Sequence, residues 1–360
     1  MELPFQLVLS LAEVLRAHWA QYERQFGAQI LPSHRRAVQA ILNCRTRALG
    51  GEIYRCANCH RDHFVYHSCN HRACPQCGHA DATEWIARQK LKLLPVPYYL
   101  ITFTVPEGLR AWLRAHQKVG YGALLKESAG ALQDVARRDK YLGAELGLLS
   151  VLHTWGRQLQ FHPHVHCVVP AGGLRPDGLR WCSAHSPTFF LPQIVLAARF
   201  RSRLQTALQD QPDSGPIDAS VWRQKWVVDV PPVGSGEAAL NYLSAYVYHT
   251  ALGSQRIVAD ADGHITFKYK DSADQRWHTL RVLAQEFIHR FLQQVLPQGF
   301  QRIRYYGWLS AAADIRWQRI LALLNWTPPT RPPQAPQPLP LCRHCGAHLF
   351  LVGRFIRGPP

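Results

Sequence analysis
The stretch QFHPHVHCVV carries histidines at alternate positions, His162, His164 and His166. Side chains of a strand repeat every two residues, so the three imidazoles would share one face while Pro163, Val165 and Cys167 take the other. Two imidazoles at i and i+2 can bind one divalent cation and leave much of its coordination sphere open, as a catalytic metal requires. No Asp or Glu lies between Leu148 and Pro170, which disfavours a hydrolase that sets carboxylates around its metal. Further along, NYLSAYVYH places Tyr242 and Tyr246 four residues apart, on one face of a helix. A tyrosine hydroxyl, with a pKa of about 10, is a weak nucleophile at neutral pH and needs a metal to polarise the phosphate it attacks. The phosphotyrosine formed keeps the energy of the broken phosphodiester, so rejoining needs no ATP. No G-x4-G-K-[ST] phosphate loop occurs in the chain.

The cysteines suggest a second kind of metal site. Cys56-Ala-Asn-Cys59 and Cys74-Pro-Gln-Cys77 are C-x2-C knuckles separated by 14 residues, together able to hold one tetrahedral structural zinc ion. Four thiolates leave no open position, so this module is expected to fold and bind rather than catalyse. Cys69, His60, His63, His67 and His71 crowd the same stretch and could exchange for a ligand. A third knuckle, Cys342-Arg-His-Cys345, is half a site that His344 or His348 could complete. Cys44, Cys167 and Cys182 have no partner pattern.

These groups need a frame. Helical apolar spacing covers Leu7 to Phe26, Ser33 to Thr46 and Ala82 to Leu94, and Pro95 and Pro97 stop the third. YYLITFTV is β-branched and aromatic, a strand, and Glu107 to Arg138 reads as helical with a break near Gly120. LLSVLHTW and FHPHVHCVV form a strand pair around Gly156-Arg157-Gln158. Hairpins are predicted at Asp177-Gly178 and Asp262-Gly263, and helices over Leu191 to Gln209, Glu237 to Tyr248, Leu280 to Leu296 and Leu309 to Leu324. Hairpins and helices without a βαβ rhythm imply an α+β fold, an antiparallel sheet with helices on one face. The expected organisation is a helical, zinc-binding domain over 1–94, a catalytic domain over 95–326, a Pro-rich linker over 327–340 and a tail over 341–360.

Composition narrows the partners. The chain has 360 residues, is 47% hydrophobic, and carries 41 Lys and Arg against 24 Asp and Glu, a net charge of +17. It can therefore bury a large core, and its surface should attract a polyanion, DNA before membrane. The N-terminus lacks a signal-peptide pattern and no apolar run is long enough to span a bilayer, so the expected location is the cytosol. In RIRYYGWL, Arg302 and Arg304 adjoin Tyr305 and Tyr306, a pattern that suits phosphates and stacked bases of an unpaired strand.

CRTRALGGEIYRCANC, SCNHRACPQC, VLHTWGRQLQFHPHVHCVVPAGG, YLSAYVYHTALGSQRIV and ITFKYKD, in that order, resemble the blocks of the rolling-circle transposases of the insertion-sequence-91 family. These are two-tyrosine enzymes of the HUH superfamily (U being a hydrophobic residue) with an N-terminal zinc-binding domain. The resemblance spans about Phe5 to Leu324. It implies a single-strand DNA endonuclease and strand transferase built on a five-stranded antiparallel sheet. His164-Val165-His166 would be the HUH element for Mg²⁺ or Mn²⁺, with Tyr242 and Tyr246 as nucleophiles, and the partners would be single-stranded ends of its own mobile element and target DNA. For the third metal ligand His153, on the neighbouring strand, is favoured over His162 if the two strands pair tightly through the Gly156 turn. Ala73 stands where the family has a histidine before C-P-x-C, and Glu52 where it has a histidine after the paired glycines.

Overall fold
The computed structural model describes residues 9–356 apart from 78, 187, 210, 212–214, 248–251, 272 and 332–338, and leaves the side chains of 79–81, 244–247 and 254 undescribed as well. The chain forms two compact units, each discontinuous in sequence. One comprises Met1–Asp81, Tyr248–Val295 and Arg331–Pro360, the other Ala82–Val247 and Leu296–Thr330. Each unit is discontinuous because segments far apart in sequence pair as strands, Gly51–Cys56 with Leu349–Phe355 in one and Gly147–Trp155 with Ile303–Gly307 in the other.

The second unit is built on a five-stranded, wholly antiparallel sheet. Its order is Ile303–Gly307, Gly147–Trp155, Phe161–Pro170, Tyr98–Thr104 and Val227–Asp229. The histidine strand is therefore central. One face of the sheet sends Ile101, Phe103, Leu148, Leu152, Val165, Cys167 and Val169 into a core shared with the helices Gln117–Ala136 and Gln193–Gln209. Leu124, Leu125, Leu132, Phe200 and Leu204 meet them there, and each such side chain contributes about 1.5–3 kcal/mol of burial.

Sequence periodicity located most of these elements. The helix break expected at Gly120 falls at His116, between Arg110–Ala115 and Gln117–Ala136. Gly120 instead lies inside the second helix, where a Cβ would stand 2.6 Å from the Leu113 side chain. Expected hairpins form at both Asp-Gly turns; Asp262 and Gly263 take left-handed φ values of 52° and 71° between Ile257–Ala261 and His264–Lys270.

The first unit holds the helices Leu11–Phe26 and Pro32–Asn43 and two three-stranded sheets. Its first helix starts at Leu11 rather than Leu7. Ser10 and Glu13 form a capping box there, with the Ser10 N–H donating to the Glu13 carboxylate at 2.6 Å and the Glu13 N–H to Ser10 Oγ at 3.2 Å. The single helix expected over Leu280 to Leu296 is two elements, a strand Trp277–Leu283 paired with His264–Lys270 and a helix Ala284–Leu292. A strand partner decided this over the apolar spacing.

Gly307 ends the outer strand Ile303–Gly307 with φ 61°, and a Cβ there would run into the Leu146 carbonyl oxygen. Gly307→Ala is expected to lower stability by at least ~2 kcal/mol, measured as a lowered urea midpoint at unchanged m value.

Candidate active site and metal centres
The central strand puts Val165, Cys167 and Val169 in the core, so its two-residue period turns His162, His164 and His166 to the opposite face. Register with the neighbouring strand sets His153 directly across from His164, and Val151 across from His166. On the other side Thr104 faces His164 and Thr102 faces His166. The rings of His153 and His166 lie 4.3 Å apart between centroids, those of His164 and His166 4.8 Å, and those of His153 and His164 5.1 Å. One ring nitrogen from each falls within 4.8 Å of the others, a spacing that one ion with metal–nitrogen bonds of about 2.1 Å can draw together. His162 is half-buried, 5.2 Å from the His164 ring, and stays outside the group. Between the two candidates for a third ligand, the fold brings in His153.

Hydrogen bonds orient these rings as metal-binding histidines are oriented. His164 Nδ1–H donates to the His162 carbonyl at 2.7 Å, which leaves Nε2 as a lone-pair donor. His166 Nδ1 lies 2.9 Å from Thr102 Oγ1. His166 Nε2 is buried with no hydrogen-bond partner among the described residues, an arrangement that costs free energy unless a cation accepts its lone pair. Three neutral imidazoles, with no carboxylate in the group among the described residues, could hold a divalent ion and leave positions on it open.

The helix Glu237–Val247 supplies the tyrosines. Ala239, Leu240 and Leu243 are its buried side chains, whereas Tyr242 is 43% exposed, with its ring 5.6 Å from that of His166 and nearly perpendicular to it. Tyr246 follows one turn later; its side chain lies outside the described residues.

The fold corrects the zinc expectation. Cys56, Cys59, Cys74 and Cys77 do not make one site; Cys74 and Cys77 join Cys44 and Cys69, while Cys56 and Cys59 stand beside Cys342 and Cys345. Strands Gly51–Cys56 and Asp62–Tyr66 form a hairpin with the Cys56 knuckle at its tip. His67 then returns to the base, its N–H donating to Gly50 O and its carbonyl accepting from Arg45. Strands of five or six residues run about 17–20 Å, so the two knuckles sit at opposite ends of the hairpin. At the base, Cys77 Sγ is 3.5 Å from Cys44 Sγ and 3.6 Å from Cys69 Sγ. A zinc tetrahedron with Zn–S bonds of about 2.3 Å has edges of about 3.8 Å. The Cys74 thiol hydrogen bond, more than any other contact, pulls the Cys69 thiol down to about 5. Cys44 gave no sequence signal because its three partners lie 25 or more residues downstream.

Residues 14–105 match a protein-family model described as "Transposase zinc-binding domain", and residues 147–316 one described as "Putative transposase". The chain is 29% identical over 290 residues to the transposase for insertion sequence element IS801 of Pseudomonas savastanoi pv. phaseolicola, covering 76% of this chain and 69% of that protein. It is 36% identical over 320 residues to "Putative transposase y4qJ" of Sinorhizobium fredii, covering 83% of this chain and 80% of the relative. The chain belongs to the insertion-sequence-91 family of transposases. No solved structure matches it at a significant level. Among the described residues of this transposase no helix is long and apolar enough to cross a membrane.

The transposase does not gather the four residues expected to line an unpaired strand into one surface. Arg302 is only 8% exposed and lies close enough to His153 to act on it electrostatically. Along the edge strand, Tyr305 pairs with Leu149 on the histidine face, accepts a 3.2 Å hydrogen bond from Trp85 Nε1, and has Lys92 Nζ 5.6 Å above its ring. Arg304 and Tyr306 alternate to the other face, where Arg304 stacks on Phe300 at 5.6 Å and Tyr306 packs against the core. Period-two alternation in a strand, missed in the sequence because RIRYYG has no apolar alternation, separates them.

Burial holds the imidazoles neutral. It pushes His153 and His166 well below the ordinary histidine value, helped by repulsion from neighbouring imidazoles, and His164 down to about 4. In metal-free transposase the unfolded chain takes up protons at these positions near pH 6.5 while the folded chain does not. Stability contributed by the neutral rings is thus present above pH 6.5 and lost as pH falls toward 4, at up to about 1.4 kcal/mol per pH unit for each histidine. Urea melts from pH 7 to 4.5 should show a shallower pH slope for His164→Gln than for the wild type.

Proposed function
We propose that this transposase cuts and rejoins single-stranded DNA through its tyrosines, in a rolling-circle route between the ends of its own mobile element and target DNA. The observation that carries this reading is the ring of Tyr242 set 5.6 Å from His166, at the edge of a three-histidine cluster. The Tyr242 oxygen attacks phosphorus and loses its proton; an O–P bond forms to tyrosine, and the bond from phosphorus to the 3′ oxygen breaks. That oxygen leaves as a 3′ hydroxyl after taking up a proton, and the other piece stays attached as a 5′-phosphotyrosine. Attack by a 3′ hydroxyl of another strand reverses the step and restores a phosphodiester. A Mg²⁺ or Mn²⁺ ion held by His153, His164 and His166 would polarise the phosphate and offset charge in the transition state.

The chain's own residues do the rest. Neutral imidazoles leave the cation's charge undiminished, and the Thr102 hydroxyl and the His162 carbonyl keep two of them aimed. Tyr246, one turn or about 6 Å along the helix from Tyr242, serves as the second nucleophile when the first is occupied. The net charge of +17 supports association with a strand of phosphates.

Incubation with labelled single-stranded DNA and Mn²⁺, followed by denaturing electrophoresis, is expected to yield a labelled protein band. Tyr242→Phe and Tyr246→Phe should each retain some adduct but fail in complete transposition, and the double variant should form none; adduct from the double variant overturns the assignment. His164→Ala and His166→Ala should drop adduct to background while single-strand binding stays within a few-fold, because phosphate contacts supply most affinity. Cleavage by the double histidine variant at the wild-type rate would remove these rings from the mechanism.

A further inference from the structure
We propose that Cys56, Cys59, Cys342 and Cys345 bind a second zinc ion, which fastens the C-terminal end of the chain onto the N-terminal hairpin as a zinc ribbon assembled from both ends of the sequence. The C-terminal pair lies outside the stretch that matches the transposase zinc-binding domain, residues 14–105. Cys56 Sγ stands 3.4 Å from Cys345 Sγ, and Cys59 Sγ 3.7 Å from Cys342 Sγ, across separations of 289 and 283 residues. These distances are close to the edge of a zinc–thiolate tetrahedron, about 3.8 Å, and far beyond a disulfide of about 2.05 Å.

Both knuckles have the same backbone. His60 N–H donates to Cys56 O at 3.2 Å, and Gly346 N–H to Cys342 O at 2.9 Å. The residue after the second cysteine is left-handed in each, His60 at φ 57° and Gly346 at φ 74°. Such a turn points amides at sulfur: the N–H groups of Asn58 and Cys59 lie 3.4 Å from Cys56 Sγ. His63 Nε2, on the returning strand, approaches Cys342 Sγ at 3.3 Å, as an outer hydrogen-bond donor to a bound thiolate would.

The frame around the sulfurs brings the two ends together. Strand Leu349–Phe355 pairs antiparallel with Gly51–Cys56, from Cys56 opposite Leu349 to Gly51 opposite Phe355. Ala57 N–H donates to His348 O at 3.2 Å, beside the metal position. Little apolar surface supports this pairing: Phe350, Leu351 and Val352 are exposed, and the buried cluster here is Cys56, Cys342 and Leu349. Metal–thiolate bonds supply the cohesion that so small a core cannot.

Titration of purified full-length transposase with a mercurial, which releases only thiolate-bound zinc, should find two such zinc ions per chain, and one in the Cys342→Ser, Cys345→Ser double variant. Hydrogen exchange over 349–355 should accelerate in that variant, whereas Cys345→His, which keeps a ligand, should retain two ions and slow exchange. A measurement on the wild type guards against a variant that does not fold: Cys345 is exposed, so a free thiol there would react at once with iodoacetamide. Zinc should block that reaction until a chelator is added. Prompt alkylation of Cys345 in zinc-loaded protein, one thiolate-bound zinc per wild-type chain, or two thiolate-bound zinc ions in the double serine variant would each overturn the proposal.

Discussion
The histidine face depends on one constraint, the two-residue period of a strand buried on both sides. In Phe161–Pro170, Val165, Cys167 and Val169 must enter the core, and that leaves His162, His164 and His166 no choice of side. A slip of one residue would bury imidazoles among Phe103, Leu124 and Phe200 and turn the valines to the histidine face, so register is specified by the apolar side of the sheet. The same register then sets His153 across from His164 and Thr102 across from His166. Packing thus decides which histidines stand together.

Burial has a chemical consequence as well. Imidazolium is disfavoured where His153 and His166 lie, so the rings are lone-pair donors at neutral pH. A buried Nε2 on His166 with no hydrogen-bond partner among the described residues is the cost of keeping them there. Tyr242, by contrast, sits on a helix whose buried side is Ala239, Leu240 and Leu243, so its ring is left partly exposed. A buried histidine cluster and a partly exposed tyrosine follow from two elements that bury different fractions of themselves.

The first unit meets a different problem. Its three-stranded sheet Leu349–Phe355, Gly51–Cys56, Asp62–Tyr66 leaves Phe64, Val65, Tyr66, Phe350, Leu351 and Val352 exposed. A sheet with so little core is marginal without cross-links. Eight of the chain's ten cysteines stand in two groups of four, at the two ends of one hairpin. Thiolate sites at both ends restrain a module that hydrophobic burial alone holds weakly.

Features that repeat within a few residues were legible in the sequence alone. The alternation of His162, His164 and His166, the i, i+4 spacing of Tyr242 and Tyr246, the knuckles at Cys56, Cys74 and Cys342, and the Asp-Gly turns each follow from local geometry. Family blocks then named the activity class. What the sequence could not decide was which distant pieces meet. Cys44 carried no pattern, and the paired knuckles Cys56 and Cys74 looked like one site when a hairpin separates them. RIRYYG, read as one basic and aromatic stripe, is an edge strand whose side chains divide between two faces. His153 was favoured over His162 only slightly from the sequence, and cross-strand register sets it beside His164 and His166. The physical reason is common to all four cases: short-range periodicity is written into every few residues, whereas strand pairing and ligand grouping depend on loop closure over tens to hundreds of residues, and only the assembled sheets specify them.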